Sequence, residues 1–353
     1  MPLTDRHLVV VGASAGGLGP LRVLLGGLPS DLPAALFVVL HIPATGGSSL
    51  PGILDRSGLL PAAAAVDGER IRPGRVYVAP PDRHLLVVED TVRLSHGPRQ
   101  NGVRPAADPL FRSAALYAGP HVTGVVLSGL LDDGAIGSAT VERLGGRVVV
   151  QDPAGADYDS MPRSAVAATE HAIVVRVEAL ADEVTRLARG GGGMPSADAP
   201  GRDRELAAEI ADLLAGAPET YPLYRTYSDL TCPGCGGPLY LKGVGEMGRH
   251  LKGAGEIGRP ETYDCLVGHR WSPESLVEEQ TASVERALWL AVRLLEERGR
   301  LTGRLADAAR ERGHVLSARQ FSRAAEEARQ SSDAIRAVAN GMITEGATAS
   351  REA

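Results

Sequence analysis

A serine, a histidine and an aspartate each follow a strand-like run of apolar residues, and those three residue types can together attack a carbonyl carbon. The first run, His7-Leu8-Val9-Val10-Val11, leads directly into Gly12-Ala13-Ser14-Ala15-Gly16-Gly17. The β-branched run predicts a buried strand, and the small residues after it let the backbone turn sharply into a helix from about Leu18. Such a turn lifts Ser14 to the carboxyl edge of a sheet, close to N–H groups at a helix start. A glycine-rich strand-to-helix turn also cradles pyrophosphate, so nucleotide binding stands beside nucleophilic catalysis here. Against it, the spacing is G-x-S-x-G-G and not G-x-G-x-x-G. The second strand, Ala35 to Leu40, ends in His41 where a dinucleotide site would place an acid. Serine and histidine at the ends of neighbouring strands are within hydrogen-bonding reach.

A histidine base needs a third group to fix its tautomer and stabilise its cation. The strand Gly124 to Ser128 runs into Gly129-Leu130-Leu131-Asp132-Asp133-Gly134, which supplies two aspartates. Asp133 is the first choice and Asp132 the fallback, while for either one a simple helix N-cap is the competing role.

A second constellation lies in the C-terminal half, which holds all three cysteines. Cys232-Pro233-Gly234-Cys235 and Cys265-Leu266-Val267-Gly268-His269 give C-x2-C with C-x3-H. That set fits a tetrahedral zinc ribbon, and four protein ligands leave no open position, so the zinc is expected to be structural. Free buried thiols are the alternative; an odd count argues against a disulfide framework.

These residues must be positioned by alternating elements. Through Arg189, strands (Arg75 to Ala79, Arg147 to Gln151, Ala172 to Val177, and a hairpin of His84 to Val88 with Val92 to Ser95) alternate with helical patterns (Ser48 to Leu54, Leu110 to Tyr117, Ala135 to Leu144, Arg163 to Thr169). The fold expected is α/β: a doubly wound, mostly parallel sheet with helices on both faces, plus a small zinc ribbon and a helical C-terminal module. The boundaries expected are a catalytic domain at 1–189, a flexible Gly-rich linker at 190–201, a short helix and ribbon at 202–272, a helical, coiled-coil-like tail at 273–341 and a disordered terminus at 342–353. In the tail, Val284, Leu288, Ala291 and Leu295 form one stripe expected to be buried. Between the cysteine pairs, the segment from Lys242 to Arg249 is nearly repeated from Lys252 to Arg259, too short a duplication for a repeat architecture.

Net charge is −6 with no Lys/Arg cluster, so nucleic acid is not an expected partner. The chain has no signal-like start and no apolar run near the ~20 residues of a membrane span, so it is expected to be cytoplasmic and not membrane-inserted.

Several separated segments resemble one family in its order: Gly12-Ala13-Ser14-Ala15-Gly16-Gly17, His41-Ile42-Pro43, Val76-Tyr77-Val78-Ala79-Pro80 with His84, Asp108-Pro109-Leu110-Phe111-Arg112-Ser113-Ala114-Ala115, Gly134, and Met161-Pro162-Arg163. Together they resemble the catalytic domain of the chemotaxis receptor methylesterases, the protein-glutamate methylesterase/glutamine deamidases. The resemblance implies a Ser14-His41-Asp133 triad acting on glutamyl methyl esters or glutamines of a methylated chemoreceptor-like protein, with no cofactor for catalysis. It also implies an oxyanion and substrate edge at Ala15, Leu130, His84 and Arg163. For His84 a hydrogen-bonded strand end is the competing role, and for Arg163 helix-start packing. Four positions depart from the family: Ala15 replaces threonine, Leu40 replaces glutamine, and Leu130 and Leu131 make Gly129-Leu130-Leu131 of Gly-Met-Gly. A main-chain N–H at Leu130 can still serve an oxyanion. Stand-alone members carry similar zinc-plus-helix tails and lack the receiver domain of the classical forms; here the tail is expected to dock a partner or a second copy. Another serine esterase or amidase on this scaffold, or an inactive nucleotide- or protein-binding module, remain the alternatives.

Overall fold

In the computed structural model, residues 7–44, 48–190, 203–216, 226–242 and 262–352 are described. The linker from 191 onward and nearly all of the duplicated segment lie outside them. Two compact units are present, Met1–Leu276 and Val277–Ala353.

The first unit is built on a seven-stranded sheet. Its strands are β1 (His7–Ala13), β2 (Ala34–Leu40), β3 (Ala62–Ala64), β4 (Val76–Val78), then, after the hairpin β5 (His84–Val88) and β6 (Thr91–Ser95), β7 (Val122–Val126), β8 (Arg147–Gln151) and β9 (Ile173–Val175). The order is β3-β4-β2-β1-β7-β8-β9 with every pairing parallel. Starting from β1 the chain builds outward through β2, then returns to place β7 on the other side of β1. That reversal leaves a crevice at the carboxyl ends of the central strands, where α/β folds bind ligands.

Two-residue periodicity divides β1 between the two faces. Leu8 and Val10 join a core with Phe37, Tyr77, Leu110 and Phe111, while Val9, Val11 and Ala13 join Leu21, Leu24 and Val184. The first face carries helices α3 (Ala107–Ala118) and α4 (Ala135–Arg143); the second carries α1 (Leu18–Gly27), the short α2 (Leu50–Asp55) and, after α5 (Ser160–Ala167), α6 (Leu180–Arg189). Helix α3 sits close because Gly12 and Gly124 have no side chain: a Cβ on Gly12 would lie 2.7 Å from Ala107 Cβ, and one on Gly124 would lie 3.1 Å from the Phe111 ring. Helix α7 (Arg204–Ala215) adds Leu206 and Ile210 to the α3 core.

The ribbon is a four-stranded antiparallel sheet of β10 (Thr226–Thr231), β11 (Pro238–Lys242), β12 (Thr262–Cys265) and β13 (Arg270–Trp271). Its core is small: Cys232, Leu239, Cys265, Trp271 and Leu276.

The tail is two helices, α8 (Pro273–Glu311) and α9 (Val315–Glu352), broken at Gly313, whose φ is 73°. The stripe Val284, Leu288, Ala291, Leu295 is not buried, and Val284 is 48% exposed. Instead every seventh residue is buried: Val292, Gly299 and Ala306 on α8, and Ala318, Ala325, Ser332 and Ala339 on α9. Gly299 rests against Ala325 and Ala328, and Arg336 pairs with Glu296, so the helices run antiparallel. Close approach of two backbones selects small residues, and Leu288, Ala291 and Leu295 of the larger apolar stripe are only half-buried.

At the start of β1, buried His7 meets Thr123 on β7, with Nε2 2.8 Å from the hydroxyl. Burial, helped by His121, pushes its imidazole from 6.5 down to about 4. Between those values the unfolded chain holds a proton that the folded chain does not, so stability falls as pH drops through the window. The denaturant midpoint is expected to fall between pH 7 and pH 4.5, and to fall less in His7→Gln, which keeps an amide toward Thr123.

Candidate active site and metal cluster

Ser14 follows the last residue of β1 at the lip of the crevice. Its N–H donates to Ser128 O (3.0 Å), Gly17 N–H donates to Ser14 O (3.0 Å), and Gly16 takes a φ of 71°. A side chain at Gly16 would strike Ser128 Oγ and Asp157 Cβ, so the turn tolerates only glycine there. On the neighbouring strand, His41 N–H donates to Ala13 O at 3.1 Å, which fixes the histidine backbone beside the serine turn.

His41 Nε2 lies 2.7 Å from Asp133 Oδ2. Asp133, and not Asp132, is therefore the carboxylate paired with the imidazole, through Nε2. The Ser14 hydroxyl makes no hydrogen bond among the described residues, a looseness common in sites without substrate.

Asp133 is buried, and it also accepts the N–H groups of Ala107 (2.5 Å) and Asp108 (3.1 Å) at the start of α3. Burial alone would raise its pKa; the bond to His41, that imidazole's charge and the two N–H groups outweigh it and hold the carboxyl below its usual range. A helix N-terminus is a favourable place for a buried anion. Asp108 completes the support. Its Oδ1 accepts Gly134 N–H (3.0 Å) and Gly137 N–H (2.7 Å), which pins the residues just after Asp133. Burial and the Asp133 charge push Asp108 up to about 8.

The loop ahead of Asp133 is clamped from both sides. Gly129 N–H donates to Tyr158 O and Met161 N–H to Gly129 O, each at 3.0 Å, while Ser128 Oγ donates to Ala15 O at 2.9 Å. A Cβ on Gly129 would lie 2.1 Å from Met161 Sδ and 2.8 Å from Ser14 Cβ, so this glycine lets the loop reach the serine. The N–H groups of Ala15 and Leu130 take no intramolecular partner among the described residues. The Leu130 side chain is half exposed.

His84 takes the hydrogen-bonded strand-end role: it is fully buried at the start of β5, its Nε2 lies 3.0 Å from Pro98 O, and its Nδ1 accepts Ala106 N–H at 3.3 Å. Burial pushes it down to about 4, so a neutral ring holds the segment leading into α3. Arg163 is exposed on α5 and pairs with Asp159 at 2.5 Å. Asp132 is buried with an unpartnered Oδ1 and is pushed up to about 6, chiefly by burial. Sequence reasoning missed Asp108, whose place before Pro109 in a helix's first turn looks like ordinary helix-start chemistry.

Cys232, Cys235, Cys265 and His269 form the second cluster, with all donor atoms within 4.8 Å of one another. Cys232 Sγ and Cys265 Sγ lie 3.6 and 3.4 Å from His269 Nδ1, and Cys235 Sγ lies 3.6 Å from Cys265 Sγ. A tetrahedral ion with Zn–S of ~2.3 Å and Zn–N of ~2.0 Å separates its ligands by about 3.5–3.8 Å, so the donor set fits. Tight turns support it: Gly236 N–H donates to Cys232 O (2.7 Å) and Gly268 N–H to Cys265 O (3.0 Å). Hydrogen bonds from Cys265, His269 and the Trp271 indole favour a Cys232 thiolate, whereas bonding to that thiolate pushes Cys265 up. A cation among the sulfurs removes that conflict.

A parallel sheet with a serine, a histidine and an aspartate at the ends of its central strands has the residue set of a serine hydrolase. Residues 9–184 match the CheB methylesterase family. A putative protein-glutamate methylesterase/protein-glutamine glutaminase of Leptospira interrogans is 38% identical over 184 residues, covering 52% of this chain and 95% of that protein. The protein-glutamate methylesterase/protein-glutamine glutaminase 2 of Methanosarcina mazei is 35% identical over 192 residues, 52% of each chain. The crystal structure of the Thermotoga maritima CheB methylesterase catalytic domain aligns with a TM-score of 0.49 at 30% identity, covering 52% of this chain and 98% of that one. The chain belongs to the CheB methylesterase family. It spans about half the length of most of the curated relatives it matches, such as the Methanosarcina protein.

Leu131, where the resemblance leads one to expect glycine, has a φ of 62°. A branched side chain in the left-handed region is strained by roughly 1–3 kcal/mol. Leu131→Gly is expected to stabilise the protein by about 1 kcal/mol net of glycine's greater unfolded-state freedom, read as a higher denaturant midpoint.

Proposed function

We propose that this protein is a serine hydrolase that removes methyl groups from glutamyl methyl esters, and ammonia from glutamines, on chemoreceptor-type proteins. The observation that carries the reading is the 2.7 Å His41 to Asp133 bond beside the Ser14 turn. Ser14 Oγ attacks the side-chain carbonyl while His41 Nδ1 takes its proton. Asp133 keeps the proton of Nε2 in place and stabilises the imidazolium. The N–H groups of Ala15 and Leu130 receive the oxyanion, His41 returns the proton to departing methanol, and water then releases the acid by the same path. No cofactor takes part in these steps. The names of the relatives support the substrate class.

For the ribbon we assign one structural zinc to Cys232, Cys235, Cys265 and His269. Four ligands close the coordination sphere, so the ion supplies cohesion to a core of a few residues and no catalysis. Reduced thiols of this kind suit the cytoplasm. No helix among the described residues is long and apolar enough to cross a membrane. The outward Leu290, Leu294, Leu301 and Leu305 of α8 support a docking or self-association role for the hairpin.

A fluorophosphonate is expected to label the wild type once, at Ser14. Ser14→Ala and His41→Ala are expected to abolish labelling and to lower kcat/KM on a glutamyl methyl ester peptide ~10³-fold or more. An unchanged esterase rate in Ser14→Ala would overturn the assignment. Elemental analysis of protein never exposed to chelator is expected to find one zinc per chain, lost in Cys232→Ser with a lower melting temperature; absence of zinc in the wild type refutes the metal assignment.

A further inference from the structure

The ribbon does not hang free of the sheet domain. Gln100 Nε2 donates to Gly268 O (3.3 Å), and Asn101 N–H donates to Arg270 O (2.9 Å), so the loop before α3 runs alongside β13. A half-buried ion network backs this seam: Glu209 of α7 receives buried Arg112 of α3 (2.8 Å) and Arg270 of β13 (2.9 Å), and Arg270 also grips Asp264 (2.7 Å).

Asn101 stands where the two parts meet. Its Oδ1 accepts Ser272 N–H (3.1 Å) and Ser275 Oγ–H (3.2 Å), both at the buried start of α8. A flipped amide would set its NH2 against the Ser272 N–H, which Ser275 Oγ also accepts at 3.0 Å, so the oxygen lies on that side and Nδ2 points the other way. It donates to Asp108 Oδ2 at 3.2 Å. Asp108 in turn holds Gly134 and Gly137 through Oδ1 and presents its own N–H to Asp133. One amide thus joins the end of the ribbon to the carboxylate that pins the Asp133 loop. The backbone φ of 51° explains the residue type, since asparagine tolerates the left-handed region.

We propose that Asn101 is a positioning residue of the reaction, through which the docked ribbon, by way of Asp108, sets the alignment of Asp133 against His41. The ribbon is then part of the active-site scaffold, and its loss or loosening lowers turnover without touching a reacting group. This rests on the serine-hydrolase reading above.

Two variants of the full chain separate anchoring from alignment, and both residues tolerate the left-handed backbone. Asn101→Gly removes every side-chain link. Asn101→Asp keeps an acceptor for Ser272 and Ser275 but, assayed at pH 9 beside wild type so that Asp108 is ionised, sets a carboxylate oxygen against the Asp108 carboxylate, so only the link toward the triad is lost. Both are measured for kcat and KM on a glutamyl methyl ester peptide and for zinc content. The downfield proton resonance of the His41 imidazole N–H bonded to Asp133 is followed in histidine-labelled protein. The expected result is a tenfold to hundredfold lower kcat in both variants, as misplacement by a fraction of an ångström produces, with KM within about twofold, zinc retained and the resonance shifted upfield or lost. Wild-type kcat and resonance in Asn101→Asp, with or without a lower melting temperature, overturn the proposal and leave Asn101 an anchor only. Inactivity of the wild type on the ester refutes the hydrolase reading instead; the resonance comparison still decides the positioning.

Discussion

The rest of the structure is arranged around an anion in the interior, the Asp133 carboxylate. A carboxylate removed from water is unfavourable unless donors surround it, and here they come from His41 on one side and from the first turn of α3 on the other. Bringing that helix start so near the sheet requires the bare positions Gly12 and Gly124 beneath it and Gly137 beside it, where a Cβ would meet Phe111 Cβ at 2.5 Å. Buried His84 fixes the segment that enters the helix. Glycines, helix position and buried histidine all answer the same electrostatic demand.

Around the serine, geometry is set by main chain more than by side chains. The Ser14 turn, the Gly129 loop and the start of α5 interlock through Ser128, Tyr158 and Met161. The N–H groups of Ala15 and Leu130 are main-chain groups and need no particular side chain at these positions. Strain at Leu131 is held in place by that interlock, as strained residues at functional sites generally are.

The ribbon and the hairpin solve different problems. The ribbon has too few apolar residues to stand alone; a four-donor cluster and the Arg112, Glu209, Arg270, Asp264 network offset that shortage and tie it to α3 and α7. The hairpin relies on close contact of small residues along a seven-residue repeat.

Residue type and order alone marked the strands, the Ser14 turn, His41 at the end of β2, an aspartate after β7 and the four metal donors, because buried strands need apolar runs, sharp turns need small residues, and ligand spacing is local. Tertiary structure decided what depends on distance between remote segments. Asp133 and Asp132 are adjacent and chemically alike in sequence; only the placement of α3 and β2 aims Asp133 at the imidazole. His84 carried the same chemistry as a surface histidine until burial used both its nitrogens. The α8 stripe had a helical period, but a period identifies a face and not what it meets; the small-residue face could pack closer and took the interior. Asp108 opened a segment of the family resemblance without showing its role, and Asn101 gave no local signal, since their contacts exist only where the start of α3, the Asp133 loop and the ribbon converge.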